Sequence, residues 1–409
     1  MSVAVYSKRS TALITALAED LESGRIIGEL KVSALGFGET LCEPGGWGVT
    51  MDGHEATADP AVLRPGGTIV HMLDVGQQPV FSGICWGTNW KGGVVEVAGQ
   101  GLWSYFRGTD GRDRVYRGGI TGMSSAISSV DDGAVFTSDD QFDVASDLIG
   151  WAQTDPYGDL AMTVRLHPTD GSGIVRTRHY EPWERISIGE AVEALAACSQ
   201  GFEFRASCEW ESGLLARYLD LWYPKLGSRK AIVWEHGVDI DLEQVSARVG
   251  ANRVDALGAG DGSAKLIRSA TSVHSGTIRH DRVTNRGGVD DSARLQAQAD
   301  GELDRADGGV DAVSFKLLNW ETYPLGSWSV GDRVKLVADD GWLQMSGVEW
   351  WRIVSWDAAL EGEGESQSMV VTVSATAGEP TGRPLMLPAA ERARRARDLN
   401  RRVSGLEGR

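Results

Sequence analysis

The chain has 409 residues, 42% of them hydrophobic and 24% charged; this is ordinary globular usage, with room for roughly two to four domains. Its net charge of −17 argues against tight nucleic-acid binding, because affinity for phosphate comes from neutralising it. No apolar run reaches the roughly 18 residues of a membrane span, and the first residues, with Lys8 and Arg9 behind a short apolar stretch, do not read as a signal peptide.

Residues 9–22 predict a short helix ending near Gly24. From there to about residue 108 the pattern is that of strands. Glu29–Ser33 alternates, Thr68–Leu73 is an apolar run, and Pro79–Trp86 and Gly93–Ala98 are bounded by glycines. Short β-rich runs between turn signals predict a barrel or sandwich. Residues 108–138, rich in Gly, Asp and Ser, read as a long loop or boundary. A helix follows, capped by Asp139 or Asp140, with Phe142, Ala145, Leu148, Ile149 and Ala152 on one face. Residues 153–175 return to loop, with one short strand over Met162–Leu166.

Ser187-Ile-Gly-Glu190 has the form of a capping box. The helix it opens carries an apolar stripe of Ile188, Ala191, Val192, Leu195 and Ala196, and Gly201 stops it. Phe202–Trp210 and Leu215–Tyr223 predict a hairpin turning at Glu211-Ser-Gly213. In the second half, Val245–Ala256 and Lys265–Thr271 read as strands, and Asp290–Ala306 as an amphipathic helix with Leu295, Ala299 and Leu303 in register. Val310–Leu318, Asp332–Val337, Glu349–Trp356 and Met369–Ala375 are further strands. Trp350 and Trp351 are adjacent, so in a strand they face opposite sides and both faces need cover.

The end of the chain differs in character. Residues 379–409 hold eight arginines against four acids, and Pro380, Pro384 and Pro388 make the entry stiff. Beyond Pro388, Ala389, Arg392, Ala396, Leu399, Val403 and Leu406 fall on a and d positions of a short heptad pattern. Leu399, Val403 and Leu406 are the candidate oligomerisation residues. So short a coiled coil holds only where an assembled oligomer brings the helices together.

Catalytic signatures are missing. Gly258-Ala-Gly-Asp-Gly262-Ser-Ala-Lys265 fails both phosphate-loop patterns and lies between predicted strands, so it reads as a hairpin turn. The seven histidines show no i, i+4 pair, and neither H-E-x-x-H nor G-x-S-x-G occurs. Asp131, Asp132, Asp139, Asp140 and Asp143 do not match a calcium loop and read as a solvated cluster. Cys42, Cys85, Cys198 and Cys208 form no C-x-x-C pair and are expected to be free, mostly buried thiols. No catalytic, cofactor-binding or metal-ligating residue is assigned, and no cofactor or enzymatic activity is expected. The fifteen tryptophans, with Trp86, Trp90, Trp350, Trp351 and Trp356 in predicted strands, suit a core first, then an interface, then a sugar platform.

Three segments carry a resemblance. The first is Pro79-Val-Phe-Ser-Gly-Ile followed by Val94 to Arg107, read as strand, strand and a short helix ending in arginine. The second is the helix and strand from Ile188 to Phe204. The third is Gly326 to Leu336, with Val330-Gly-Asp-Arg-Val-Lys-Leu, followed by a tryptophan-rich strand. This order of elements, over most of residues 25–377, resembles the tail-hub (minor tail, baseplate-hub) proteins of long-tailed siphovirus-type bacteriophages, especially those of actinobacteria. The resemblance implies an α+β, β-rich fold with two tail-tube-like β-barrel domains, accessory α+β domains and a C-terminal helix. The first barrel-like domain would span 1–108, the accessory domain 109–235, and the second barrel-like domain, with a helical insertion, 236–378. Residues 379–409 would be a Pro/Arg-rich extension with a short helix.

The resemblance further implies a structural protein of the virion tail tip. Three copies would form a ring joining the sixfold tube to a threefold tip, with an acidic lumen that passes DNA without binding it specifically. Its partners would be two further copies of itself, a distal tail protein or the tube, the tape-measure protein, and a downstream tip or central-fibre protein. The alternative is a carbohydrate- or receptor-binding tail protein. A cell-wall hydrolase, with two carboxylates roughly 5–10 Å apart in a cleft, is a third reading.

Overall fold

The structure, a computed structural model, describes residues 13–108, 114–117, 133–154, 158–248, 251–272, 278–306, 310–340, 343–361 and 368–377. Seven strands come first: β1 (Thr15–Asp20), β2 (Arg25–Leu30), β3 (Val32–Thr40), β4 (Gly46–Asp52), β5 (Thr68–Leu73), β6 (Pro79–Lys91) and β7 (Val94–Gly101). A mixed region follows: α1 (Ser104–Arg107), β8 (Ala134–Asp140), α2 (Gln141–Thr154), β9 (Met162–His167), β10 (Val175–Tyr180), α3 (Ile188–Ala196), β11 (Glu203–Glu211) and β12 (Leu214–Trp222). Then come β13 (Arg229–Glu235), β14 (Ile240–Arg248), β15 (Arg253–Leu257), β16 (Ile267–Thr271), β17 (Asp281–Asn285) and α4 (Ser292–Ala306). The last strands are β18 (Val310–Leu317), β19 (Arg333–Asp340), β20 (Leu343–Glu361) and β21 (Ser368–Ala377). The fold is α+β and rich in β structure.

Thirteen strands join in one curled sheet with the path β14-β18-β21-β20-β3-β4-β7-β6-β5-β1-β2; β19 branches from β20 and carries β13. The pivot is β20. Its first part pairs with β19, up to Arg352 opposite Arg333. Its last part pairs with β3, from Ser355 opposite Thr40 to Glu361 opposite Ala34. A bulge between Ile353 and Ser355, seen in the β21 register, marks the change of partner, and such an insertion bends a strand locally. β3 to β7 therefore continue the same sheet as β18 to β21.

The two arms of this sheet enclose one hydrophobic cluster. An aromatic chain bridges it. Trp356 stands edge-on to Phe37 at 5.5 Å and to Trp328 at 6.1 Å, and Trp328 is edge-on to Trp234 at 5.6 Å. Such T-shaped pairs add about 0.5–1.5 kcal/mol each beyond their buried area. A second cluster lies behind the first arm. Here α2, α3, β11 and β12 pack Phe142, Leu148, Val192, Phe204 and Leu219 against Ile69 of β5 and Ile84 of β6. Every residue of β5 is buried for that reason: it has cover on both faces. The third cluster is small. It sets Leu295, Ala299 and Leu303 of α4 against Val254 and Ala256 of β15 and Ala270 of β16. This two-layer unit is inserted between β14 and β18, which pair with each other antiparallel.

Several sequence expectations change. The helix predicted over 9–22 is, in its described part, the strand Thr15–Asp20. Pairing with β2 on one side and β5 on the other outweighs its helical pattern. The continuous strand predicted over Val245–Ala256 is two, β14 in the large sheet and β15 in the inserted one. The predicted loop over 108–138 ends in β8, which pairs with β10. The predicted strand Glu29–Ser33 divides between β2 and β3. Other readings hold. Asp140 caps α2 by accepting from the Phe142 amide at 2.8 Å. Ser187 accepts from the Glu190 amide at 3.4 Å. Gly258–Lys265 joins the antiparallel strands β15 and β16.

Candidate assembly surface

Strand periodicity sorts the side chains of the large sheet. Along β3, β4, β7, β20 and β21, Leu35, Phe37, Trp47, Val49, Val95, Val97, Trp356, Leu360, Val371 and Val373 point into the core. The alternate positions form the opposite face. β21 contributes Val370, Thr372 and Ser374, and β20 contributes Ser355, Asp357 and Ala359. β3 and β4 add Gly36, Gly46, Gly48 and Thr50, and β7 adds Glu96 and Ala98. Val94 and Val370 are the only aliphatic side chains larger than alanine on this face among the described residues. Its charges are Asp52, Glu96 and Asp357, all exposed, with no cation among the described residues of these five strands from Ser355 onward in β20. A shallow groove lined by Gly36, Gly46, Asp357, Ala359 and Thr372 crosses the seam where the arms meet.

The glycines here are informative. A Cβ added at Gly36, Gly46 or Gly87 would meet nothing within 4 Å, and none of the three has positive φ. Neither packing nor backbone conformation requires glycine at these positions. Glycine inside a strand weakens it, by an amount set by its extra conformational freedom, about 0.5–1 kcal/mol against alanine. The face is kept flat at a cost in stability. Gly38 differs, since a Cβ there would lie 2.2 Å from the Asp357 carboxylate and 2.5 Å from the Trp356 carbonyl.

Away from the bare strands the outer face is covered by the accessory elements and held there by buried ions. Glu19 of β1, His71 of β5 and Arg217 of β12 are 1%, 0% and 6% exposed. His71 Nε2 lies 2.8 Å from Glu19 and its Nδ1 2.8 Å from the Ser82 hydroxyl. Arg217 donates to Glu19 and, at 2.7 Å, to the Leu160 carbonyl. Burial disfavours the charge on Glu19, but the His71 hydrogen bond and the Arg217 charge outweigh it and hold the carboxyl below its ordinary value. Burial pushes His71 down, against the pull of Glu19. A neutral imidazole then donates from Nε2 to the ionised Glu19. At the second arm, Arg352 of β20 forks onto Glu203 of β11, with one contact at 2.8 Å, and Glu203 also accepts from the Leu226 amide at 2.7 Å.

The candidate oligomerisation residues Leu399, Val403 and Leu406 lie outside the described residues, as do Asp131 and Asp132. Asp140 of the acidic cluster is a local anchor: besides capping α2 it accepts from the Ser172 hydroxyl at 2.9 Å and the Gly173 amide at 2.7 Å. Asp139 and Asp143 instead join burial in pushing Asp147 up to about 6. Trp351 and Trp356 are in the core, whereas Trp350 faces away, with Arg229 and Lys335 over its ring. Trp86 donates to the Ser104 hydroxyl at 2.9 Å, and Trp90 is exposed near the β6–β7 turn. The four cysteines are free thiols, three of them buried. The flat face and the Glu19 and Glu203 ion pairs were not foreseen. Their one signal was charge at inward positions of apolar strands, such as Arg217 within Leu214–Trp222.

No family model and no curated protein matches the chain. Solved structures do. The 43 kDa tail protein of prophage MuSo2 from Shewanella oneidensis shares 11% identity at a TM-score of 0.54, over 88% of this chain and 98% of its own. A tail protein from Neisseria meningitidis MC58 shares 12% at 0.51, over 90% and 97%. The prophage tail protein gp18 from Listeria monocytogenes EGD-e shares 10% at 0.50, over 90% and 96%. The chain has the fold of these proteins over nearly their whole length.

Proposed function

We propose that this chain is a structural hub of a phage tail tip, in which three copies form a ring that joins the sixfold tube to the tip and encloses the DNA-exit channel. The observation that carries the reading is the flat, weakly acidic face that runs unbroken across the seam between the two arms. Along these five strands a polyanion meets small side chains and carboxylates that repel it, and Lys316 on the neighbouring β18 is paired with Glu243 at 2.5 Å. In this reading the two arms are the two tube-like halves of each subunit, so three copies present six. The second cluster and the inserted unit brace the ring from outside. The fold shared with the prophage tail proteins supports the assignment to a tail, and the siphovirus setting comes from the sequence resemblance. Residues 379–409 would lead towards a central fibre or other tip protein, and the distal tail and tape-measure proteins would be the neighbours on the tube side. The receptor-binding alternative has less support: Trp47, Trp103, Trp234, Trp328, Trp351 and Trp356 are buried, and the exposed Trp90 and Trp183 stand on separate elements, β6 and the turn before α3.

The test is electron cryomicroscopy of the particle that contains the chain. A threefold ring on the tube axis, with Glu96 and Asp357 on its inner wall, is the expected result. A peripheral position, or a ring with this face turned outward, would refute the reading.

A further inference from the structure

The β13–β19 branch of the sheet and its β2 end carry opposite charge. In the branch, β13 and β19 extend from β20 with Arg229 opposite Arg333 and Lys335 opposite Trp350. Val334, Leu336 and Trp351 take the core side, so Arg229, Arg333, Lys335 and Trp350 share the outer face. The Arg229 guanidinium lies 5.2 Å and the Lys335 ammonium 5.0 Å from the centre of the Trp350 ring, which fixes two cations against a rigid aromatic surface. Nearby Lys230 is already paired with Asp332 at 3.4 Å, whereas Arg333 and Lys335 have no ion pair among the described residues. With Glu235 of β13 exposed at its margin, this is a mainly cationic patch on a chain of net charge −17.

At the end of the path lies β2, which among the described residues pairs with β1 on one side and has no strand partner on the other. Glu22, Glu29 and Asp59 are exposed around it. Of the cations there, Lys31 is taken up by Glu55 at 3.0 Å, which leaves Arg25 as the minority charge.

We propose that the basic face of β13–β19–β20 docks onto the acidic edge around β2 of a second copy of this chain, head to tail. Two different patches meeting in this way make a heterologous contact, which closes into a ring when the rotation allows. The same contact would cover a sheet edge that is otherwise a liability. Charge complementarity favours the second copy as occupant, because each copy carries both halves of the pair. The proposal rests on the ring reading above.

The test is sedimentation velocity of the full chain over a range of protein and salt concentrations. The variants are Arg333→Glu/Lys335→Glu, Glu22→Lys/Glu29→Lys, and all four changes together, each checked for native circular dichroism. The wild type should self-associate, less so at high salt. Either double reversal should weaken association at least about tenfold, and the fourfold variant should recover most of it. Recovery could not occur if the reversals acted by misfolding. Self-association insensitive to all three variants would overturn the docking and leave the ring standing. A wild type that stays monomeric would overturn both. A monomeric wild type that binds a single-stranded oligonucleotide, with binding lost in Arg333→Glu/Lys335→Glu, would assign the patch to nucleic acid instead.

Discussion

Arg217→Met is expected to be among the most damaging single substitutions in the chain. Arg217 is 6% exposed and faces Glu19, itself 1% exposed. Methionine keeps much of the length and apolar bulk but removes the cation and the donor to the Leu160 carbonyl. Glu19 is then a buried carboxylate with a neutral His71 as its nearest donor. Removing one partner of a buried ion pair costs about 3–5 kcal/mol, whereas replacing both by neutral groups of similar volume is often close to neutral. The expected loss for Arg217→Met is therefore about 3–5 kcal/mol, and Glu19→Gln/Arg217→Met should recover more than half of it. Urea unfolding at pH 7, followed by tryptophan fluorescence, measures both. Lowering the pH should shrink the loss, because an unpaired Glu19 can take up a proton. A loss below about 1 kcal/mol, or a double variant as unstable as the single one, would refute the account of this cluster as a coupled buried pair.

The same unfolding assay tests three further expectations. His71 is held neutral, so the unfolded chain binds a proton that the native one refuses. Stability should thus fall as pH drops below 6.5, the ordinary histidine value, by up to about 1.4 kcal/mol per pH unit, and His71→Gln should remove that limb. Asp147 is shifted the other way, from 3.8 to about 6: the native state keeps its proton longer, and stability is lost as pH rises through that window. Asp147→Asn should stabilise by about 1–3 kcal/mol at pH 7 and by almost nothing near pH 3.5. Gly36→Thr/Gly46→Thr should raise stability by about 0.5–1 kcal/mol per site, because both positions are open and extended; a loss would show that the flat face has a packing role. Thiol titration supplies a fourth test. Burial pushes Cys42 and Cys208 up to about 12 and Cys85 to about 11, so these three should react slowly at pH 8 and all four cysteines quickly after denaturation.

Local rules made much of this fold legible. Asp140 and Ser187 cap helices where their side chains promised to, and the stripe of Leu295, Ala299 and Leu303 lies against the inserted sheet as its spacing required. Trp350 and Trp351 do take opposite faces. The misses arose where tertiary pairing decided the outcome. Thr15–Asp20 becomes a strand because β2 and β5 flank it, partners that no local window contains. β14 and β15 read as one run because both are strands, and only the sheet each joins divides them. The candidate surface was the least legible part. Gly36, Gly46 and Gly87 each look like turn signals in sequence, and only their shared position on one side of a continuous sheet makes them a feature.

The placement of the buried ions explains how such a face can exist. Strands left bare on their outer face must be held by their core side and by the covered strands beside them. Here the core between the arms sets their curl, but apolar packing has no direction and would tolerate some sliding. The two ion pairs do not. Arg217 binds Glu19 of the first arm, Arg352 of the second arm binds Glu203, and both accessory partners, Arg217 and Glu203, lie on the paired strands β11 and β12. One hairpin is thereby fastened to both arms through hydrogen-bonded contacts with strict geometry. Moving either arm would leave a charge buried without its partner, a penalty of several kcal/mol. The relative setting of the arms is thus fixed where the accessory hairpin covers the outer face, and the bare strands beside it need no side chain of their own to hold it. That freedom lets glycine, alanine, serine and threonine occupy the seam at which two halves of a channel wall would meet.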